Sequence, residues 1–182
     1  DCEVVRYQTA GDDQSKIADE IREAWKEADL ILTTGGVSVG EKDLLPGVIE
    51  NLTGNVLFHG IQVKPGMPTM LSVVKGTPVL SLSGNPFAVE ALFEVLAGGY
   101  LTDMEASRYL QKNQMKVLKQ TFVKTGKMKR IVKGRCDESG VYLPQIQKNG
   151  QLKNGIGSNC LVIFPEGERT YAEGEGVRVI RI

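Results

Sequence analysis

Apolar and polar residues follow each other along the first hundred residues in patterns that predict alternating helices and strands. A helix is predicted after Asp13, where apolar residues recur at helical spacing and Asp13 occupies the capping position. Buried strands are predicted over 29–34 and 77–83, and a longer helix over 85–101 with Pro86 at its first position. Further strands are predicted over 2–7, 55–63 and 69–74, and a short helix over 44–52. This alternation predicts an α/β layer fold with a parallel sheet.

The pattern changes beyond residue 103. Short segments rich in β-branched residues are separated there by glycine-rich turns, and helical periodicity almost disappears. The strands are predicted within 116–123, 129–136, 140–147, 160–167 and 176–182. The sequence therefore predicts an α/β domain over 1–103 and a small all-β domain over 111–182.

Charge and cysteine content narrow the functional classes. Lys plus Arg and Asp plus Glu number 22 each, without a long run of either sign, so neither nucleic acid nor an anionic membrane is an expected partner. No apolar run is long enough to span a bilayer, and the chain is expected to be soluble. Three widely spaced cysteines and one histidine favour free thiols in a reducing cytoplasm over a disulfide framework or a zinc site.

The segment "LILTTGGVSVGEKDLL" carries the first candidate site. Gly35 and Gly36 follow a predicted strand, where residues without side chains let backbone N–H groups approach an anion. Ser38 offers a hydroxyl group, Gly40 permits a tight bend, and Asp43 precedes the next helix, where a carboxylate could hold Mg²⁺. A structural interpretation, with glycines in turns and Asp43 as a helix cap, explains the same spacing equally well.

A second strand end of the same type lies in "SLSGNPF". Gly84 and Asn85 again join a buried strand to a helix and present a second anion-facing helix start. Between the two loops, "KPGMP" holds Lys64 on a stiff segment suited to meet negative charge. Two such ends favour an extended anionic ligand. No glycine precedes Lys-Ser or Lys-Thr, so the set is not a nucleotide P-loop.

In this order and spacing, "DLILTTGGVSVGEKD", "KPGMP" and "SGNP" resemble the molybdopterin molybdenumtransferase family, whose animal members include the carboxy-terminal part of gephyrin. The acidic pair Asp12 and Asp13 and the segment "NCLVIFPEG" extend the resemblance over nearly all of the chain. It implies that residues 1–103 are the later part of a three-layer α/β molybdopterin-binding domain, and that 111–182 form a barrel-like β domain. Members of the family insert molybdenum from molybdate into adenylylated molybdopterin and release AMP, with the help of Mg²⁺, and the parent protein is expected to be a homodimer.

The resemblance also implies roles for individual residues. Asp43 is expected at the metal or phosphate centre, with Asp12 or Asp13 as its catalytic partner. Asp12 is preferred, also as the second metal ligand, because capping already explains Asp13. The residues expected to bind the pterin and its phosphates are Gly35, Gly36, Ser38, Gly40, Lys64, Pro65, Gly66, Ser83, Gly84, Asn85 and Pro86.

The chain departs from the family pattern at several positions. Ser83 stands where the family usually has proline, Met67 where it has a second basic residue, and 148–150 where it has a Gly-Ser loop. The resemblance implies that this chain is a piece of a longer protein, whose upstream domains and first acidic glycine loop lie before Asp1, and this piece alone can be folded yet inactive. Two alternatives therefore stay open: a molybdopterin adenylyltransferase, or a scaffold of the same fold without chemistry.

Overall fold

The computed structural model describes residues 2–38, 40, 43–98, 112–144 and 157–182. These residues form two compact units. The first unit comprises Asp1–Ile61 and Gly66–Asn85, and the second comprises Gln62–Pro65 and Pro86–Ile182. The domain boundary predicted between residues 103 and 111, and the loop at 148–150, lie outside the described residues, so the predicted partition stays a prediction.

Three α-helices and twelve strands occupy the described part of the chain. In chain order they are α1 (Gln14–Ala24), β1 (Ile31–Thr34), α2 (Leu45–Asn51), β2 (Asn55–His59), β3 (Val63–Lys64), β4 (Met70–Val74), β5 (Thr77–Leu82), α3 (Pro86–Leu92), β6 (Asn113–Val117), β7 (Phe122–Lys124), β8 (Lys129–Cys136), β9 (Val141–Tyr142), β10 (Cys160–Phe164), β11 (Arg169–Tyr171) and β12 (Gly176–Arg181).

The sheet of the first unit is mixed rather than parallel. Its four strands lie in the order β1-β5-β4-β2; β1, β5 and β2 run in one direction, and β4 runs in the opposite direction between β5 and β2. The antiparallel pairing has a local cause. Lys75 and Gly76 both have positive φ angles, 53° and 91°, and form a two-residue turn of the kind that matches the twist of a β-hairpin. This turn makes β4 and β5 antiparallel neighbours, which the predicted alternation of strands and helices did not include.

Apolar faces of both helices bury against this sheet. Ile21 of α1 and Ile49 of α2 join Met70 and Val79 of the sheet in one core cluster. The predicted start of the first helix is confirmed, because the Asp13 carboxylate accepts hydrogen bonds from two backbone N–H groups of the first turn. The apolar stripe that the sequence predicts for α1 therefore positions the helix on the core.

The strand predicted over 2–7 is wrong within the described residues, where 2–10 contain neither helix nor strand. A strand needs a neighbour for its backbone N–H and C=O groups, and no described strand pairs with this segment. Its apolar side chains are largely solvent-exposed, as at Val4 and Tyr7. Arg6 instead forms ion pairs with Glu20, at 3.0 Å, and with Glu27, at 3.3 Å.

The second unit is built on a six-stranded sheet in the order β3-β8-β10-β12-β6, with β9 paired to β8, and on a separate β7-β11 pair. All its strand pairs are antiparallel except that between β3 and β8. Aromatic stacking fills one end of the core: the ring centroids of Phe122 and Phe164 lie 4.5 Å apart, and those of Phe164 and Tyr171 lie 4.8 Å apart. In the described residues this sheet is open, so a closed barrel is not observed.

The helix predicted over 85–101 begins at Pro86, as expected for proline in a first helical turn. Its α-helical part ends at Leu92 and continues as a π-helical turn over Phe93–Ala97, while 99–101 lie outside the described residues. Among the helices that the structure describes, none combines the length and the apolar composition needed to cross a lipid bilayer.

Candidate functional site

Strand pairing brings four strand ends of the first unit to one rim, which we define by Thr34, Leu82, Met70 and His59. The parallel register pairs Thr34 with Leu82, so β1 and β5 end together. The antiparallel registers pair Met70 with both Ser81 and His59, so β4 begins and β2 ends at the same place. Loops that follow or precede these residues therefore share one edge of the sheet.

The two glycine loops predicted from the sequence meet at this rim. The Gly35 N–H donates a hydrogen bond to the Leu82 carbonyl at 2.9 Å, which joins the first loop to the end of β5. Gly35 and Gly36 have φ angles of 86° and 63°, a region that favours glycine. A Cβ atom on Gly84 would lie 3.6 Å from the Gly35 Cα atom. The backbone at Gly35 and the backbone at Gly84 therefore approach each other closely, because neither glycine has a side chain.

A tight turn positions Asp43. Its N–H donates to the Gly40 carbonyl at 2.9 Å, and its Oδ2 accepts from the Gly40 N–H at 2.9 Å. Leu45 then donates its N–H to the Gly36 carbonyl at 3.0 Å, which ties the start of α2 back to the glycines. Oδ1 of Asp43 accepts no hydrogen bond from the described residues. One oxygen of the Asp43 carboxylate thus stabilises its own loop, and the other is left for a ligand.

His59 holds the same loop from the far edge of the sheet. Its Nε2 atom lies 2.7 Å from the Val37 carbonyl oxygen. Val37 itself is buried in the core cluster, so the loop is fixed by a hydrogen bond and by an apolar anchor. The sequence pattern assigned this histidine no role in the site. The only available signal was its place within the strand predicted over 55–63.

Buried hydroxyl groups gather beside the rim. Thr33 and Ser81 are paired in the β1–β5 register, and Ser83 follows directly after the end of β5. Their hydroxyl oxygens are shielded from solvent and have no hydrogen-bond partner within the described part of the chain. A buried hydroxyl group without a partner is unfavourable by about 1–3 kcal/mol. The Ser83 hydroxyl, closest along the chain to Gly84, is therefore suited to a polar ligand.

Asp12 and Asp13 have different environments in the structure. The Asp13 Oδ1 atom accepts from the N–H groups of Ser15, at 2.9 Å, and Lys16, at 3.2 Å, so it caps α1. Asp12 is exposed and makes no hydrogen bond within the described residues. Those residues contain no group of three or more His, Cys, Asp or Glu side chains that could hold a metal ion. No protein-only metal cluster therefore joins Asp43 and Asp12 there.

The Lys-Pro-Gly segment is divided between the two units. Lys64 and Pro65, joined by a cis peptide bond, belong to the second unit, while Gly66 begins the return to the first. Gly66 has a φ angle of 102°, and its carbonyl accepts from the Thr69 hydroxyl at 2.7 Å. The Met67 carbonyl accepts from the Ile61 N–H at 2.9 Å. The loop is thus closed by its own backbone, and the Lys64 side chain is exposed.

The remaining predicted residues sit at element boundaries. Ser38 is half-buried in the first glycine loop. Asn85 is the last residue of the first unit and Pro86 the first of α3 in the second unit. Of the predicted set, the structure joins Gly35 to Gly84 and Gly40 to Asp43, each pair within the first unit.

In open α/β sheets, ligand sites typically lie beyond the carboxyl ends of the parallel strands, which is where the two glycine loops of this α/β protein lie. Residues 1–103 match a family described as "Probable molybdopterin binding domain". The chain belongs to this family.

Individual relatives extend the similarity beyond that domain. A molybdopterin molybdenumtransferase of Staphylococcus aureus is 30% identical over 183 residues, which cover 98% of this chain and 44% of the relative. The same enzyme of Staphylococcus epidermidis is 27% identical over the same coverage. The predicted resemblance to molybdopterin molybdenumtransferases is thereby confirmed. The chain spans less than half the length of these curated relatives.

Solved structures share the fold. A molybdopterin biosynthesis MoeA protein from Pyrococcus horikosii superposes with a TM-score of 0.75 at 27% identity, and covers 93% of this chain and 41% of its own. A molybdenum cofactor biosynthesis protein from Pyrococcus furiosus has a TM-score of 0.67 at 22% identity, over 94% of this chain and 55% of its own. The α/β fold class predicted from the sequence is confirmed by these neighbours.

Proposed function

We propose that this chain is the molybdopterin-binding part of a molybdenum cofactor biosynthesis enzyme. The complete protein would be a molybdopterin molybdenumtransferase, which inserts molybdenum from molybdate into adenylylated molybdopterin and releases AMP. The similarity to named transferases over 98% of the chain supports this assignment. Adenylylated molybdopterin and molybdate are its proposed substrates, and Mg²⁺ its proposed cofactor.

The approach of Gly84 to Gly35 carries the proposal. Backbone without Cβ atoms lets a phosphate approach N–H groups closely, and here Gly84 and Gly35 are so close that a Cβ atom on Gly84 would be in van der Waals contact with Gly35. The Ser83 hydroxyl next to them is buried and has no partner among the described residues. Side-chain-free backbone beside a buried hydroxyl group without a described partner suits a ligand with phosphates and a polar ring system.

Asp43 is the proposed metal ligand, with Asp12 as a second carboxylate. Mg²⁺ commonly keeps several waters and needs only one or two protein carboxylates beside substrate phosphates. The free Oδ1 atom of Asp43 fits that requirement, although no larger acidic cluster lies in the described residues. The ion would neutralise charge on the phosphates. Lys64 is proposed to meet an oxyanion of the substrate.

Calorimetry on the full chain tests the proposal. Adenylylated molybdopterin should bind saturably, and more tightly with Mg²⁺ than without it. Asp43→Asn keeps an oxygen that can accept from the Gly40 N–H, but it lowers the affinity for Mg²⁺. The increase in affinity for adenylylated molybdopterin that Mg²⁺ produces should therefore fall by about tenfold. Asp29→Asn is the matched control, because Asp29 is exposed and precedes the opposite end of β1.

The outcomes separate the alternatives. Absence of any saturable heat would contradict the proposal and favour a scaffold. Conversion of molybdopterin and ATP to the adenylylated product without molybdate would indicate an adenylyltransferase instead. AMP release that depends on molybdate, measured in the complete protein, would support the transferase.

A further inference from the structure

Two residues with hydroxyl groups lie opposite each other on the parallel strands of the first unit. The register of β1 and β5 pairs Thr33 with Ser81, one residue before the end of both strands. Paired residues of neighbouring strands have their side chains on the same face of the sheet. The pair two residues earlier on that face, Ile31 and Val79, belongs to the core cluster. Thr33 and Ser81 therefore face the core, next to the strand ends from which the glycine loops start.

Both hydroxyl groups are buried without a protein partner. Ser81 is fully buried, and the Oγ1 atom of Thr33 is shielded from solvent. Neither oxygen forms a hydrogen bond within the described part of the chain, so the two hydroxyl groups do not bond to each other either. A buried hydroxyl group that makes no hydrogen bond destabilises the folded state. The pair therefore requires a further polar group between or beside its members.

The spacing of the strands suits one bridging water molecule. Neighbouring strands lie about 4.8 Å apart, whereas two hydroxyl oxygens that share a hydrogen bond lie about 2.7–2.8 Å apart. A water molecule with two hydrogen bonds of about 2.8 Å spans about 4.8 Å when these bonds meet at about 118°, which is close to the tetrahedral angle. Water donates and accepts hydrogen bonds, as both hydroxyl groups do, so either can take either role.

The surroundings favour a neutral occupant over an ion. Met70 of β4 is paired with Ser81 on the side away from β1, and it is fully buried in the core cluster. Met70, Ile31 and Val79 thus present apolar side chains around the hydroxyl pair. A buried ion without a countercharge is far more unfavourable than a neutral molecule with satisfied hydrogen bonds. Water meets both requirements, because it is small and uncharged.

We propose that Thr33 and Ser81 hold one buried water molecule that bridges β1 and β5. Buried waters of this kind satisfy polar groups that the protein itself leaves without partners. The bridge adds a second link beside the hydrogen bond from the Gly35 N–H to the Leu82 carbonyl. It thereby holds together the two strand ends that carry the glycine loops. This inference does not depend on the ligand proposed above, since the water is part of the folded chain.

A double-mutant cycle on the full chain, measured by denaturant unfolding, tests the bridge. Thr33→Val and Ser81→Ala should each raise the equilibrium constant for unfolding by about fivefold, because the remaining hydroxyl group loses its bridged partner. The double variant should also lie about fivefold above the wild type, rather than about 25-fold, because the same water is lost only once. In a dry site, Ser81→Ala would instead lower the constant, because it removes a hydroxyl group that makes no hydrogen bond.

Ser72→Ala is the matched control for Ser81→Ala. Ser72 is fully buried on β4, and its hydroxyl group also has no partner among the described residues. The residues paired with it are Val56 and Val79, so no second hydroxyl group lies opposite it to share a water. The effects of Ser72→Ala and Thr33→Val on the unfolding constant should therefore multiply.

Nuclear Overhauser spectroscopy on the same chain detects the water directly. A chain labelled at threonine methyl groups should show a cross-peak between the Thr33 methyl group and a long-lived water, and Ser81→Ala should abolish it. Three results would each overturn the inference: a lower unfolding constant in Ser81→Ala, independent effects of Thr33→Val and Ser81→Ala, or no such cross-peak in the wild type. Coupling of Ser72→Ala to Thr33→Val as strong as that of Ser81→Ala would also contradict a bridge specific to the pair.

Discussion

The Nε2 atom of His59 lies 2.7 Å from the carbonyl oxygen of Val37, 22 residues earlier in the chain. His59 ends β2 and Val37 follows β1, and these strands form opposite edges of the four-stranded sheet. A carbonyl oxygen only accepts hydrogen bonds, so the ring must carry its proton on Nε2. The bond therefore fixes the glycine loop with a residue from the other side of the rim.

This contact predicts a tautomer and a phenotype. The neutral ring of His59 should be the Nε2–H form, which long-range ¹H–¹⁵N spectra can assign without ambiguity because the chain has one histidine. His59→Ala should lower the free energy of unfolding by about 1 kcal/mol and weaken binding of adenylylated molybdopterin. His59→Gln, which retains an N–H donor, should recover part of both. Observation of the Nδ1–H tautomer would contradict the proposed bond.

Substitution of Gly84 should affect ligand binding without affecting folding. A Cβ atom there would make an ordinary contact of 3.6 Å with Gly35, and Gly84 does not have a positive φ angle. Gly84→Ala should therefore fold with nearly unchanged stability, yet its methyl group fills the space between the loops. We expect at least about a tenfold loss of affinity for adenylylated molybdopterin, measured by calorimetry.

Gly47→Ala provides the control for this substitution. Gly47 lies within α2, and an added Cβ atom there would meet nothing within 4 Å. The change should raise the free energy of unfolding by about 0.5–1 kcal/mol and leave ligand affinity unchanged. If Gly84→Ala behaves like Gly47→Ala in binding, the space between the glycine loops does not hold the ligand.

Sequence patterns predicted the features of the fold that depend on interactions between neighbouring residues. The Asp13 cap, the start of α3 at Pro86 and the glycines at strand ends each follow from a few neighbouring residues. The strand prediction for 2–7 is wrong because residues with a strand-like pattern form a strand only when a neighbouring strand is available to pair with them. Its composition alone does not specify a partner.

Register and direction could not be predicted in the same way. The contact between His59 and Val37 depends on a sheet order in which β4 and β5 are antiparallel, and the turn at Lys75 and Gly76 was not recognised as a hairpin. The pairing of Lys64 with Arg130 depends on the two-residue strand β3, which joins β8 across a sequence separation of 66 residues, as from Val63 to Lys129. Such long-range pairings leave little trace in either segment.

The two aspartates at 12 and 13 should respond differently to substitution. Asp13→Ala removes the cap of α1 and should lower the free energy of unfolding by about 1 kcal/mol, whereas Asp13→Ser should retain most of it. Asp12→Asn should leave stability unchanged and reduce Mg²⁺-dependent binding of adenylylated molybdopterin. Denaturant unfolding and calorimetry on the same samples provide both measurements. If Asp13→Ser were as stable as the wild type but showed weaker Mg²⁺-dependent binding of adenylylated molybdopterin, the role in Mg²⁺ binding would belong to Asp13 instead of Asp12.

Cys136 and Cys160 form a buried thiol pair in the second unit. The β8–β10 register sets Cys160 opposite Gly134, so Cys136, two residues further along β8, lies diagonally across on the same face. Both side chains belong to the core cluster with Val162 and Phe164. Burial and, to a smaller extent, the neighbouring Cys136 thiol together raise the pKa of the Cys160 thiol to about 12.

This shift predicts a loss of stability at alkaline pH. An unfolded cysteine has a pKa of about 8.5, so the folded chain, in which the pKa of Cys160 is about 12, binds this proton more tightly. Its contribution is complete below about pH 8.5 and is lost as pH rises towards the folded value, by up to about 1.4 kcal/mol per pH unit. Denaturant unfolding under reducing conditions from pH 7.5 to 10, compared with Cys160→Ala, isolates this contribution from lysine and tyrosine titration. The wild-type free energy should decline more steeply above pH 8.5 than that of Cys160→Ala; parallel curves would show that Cys160 does not resist deprotonation in the folded protein.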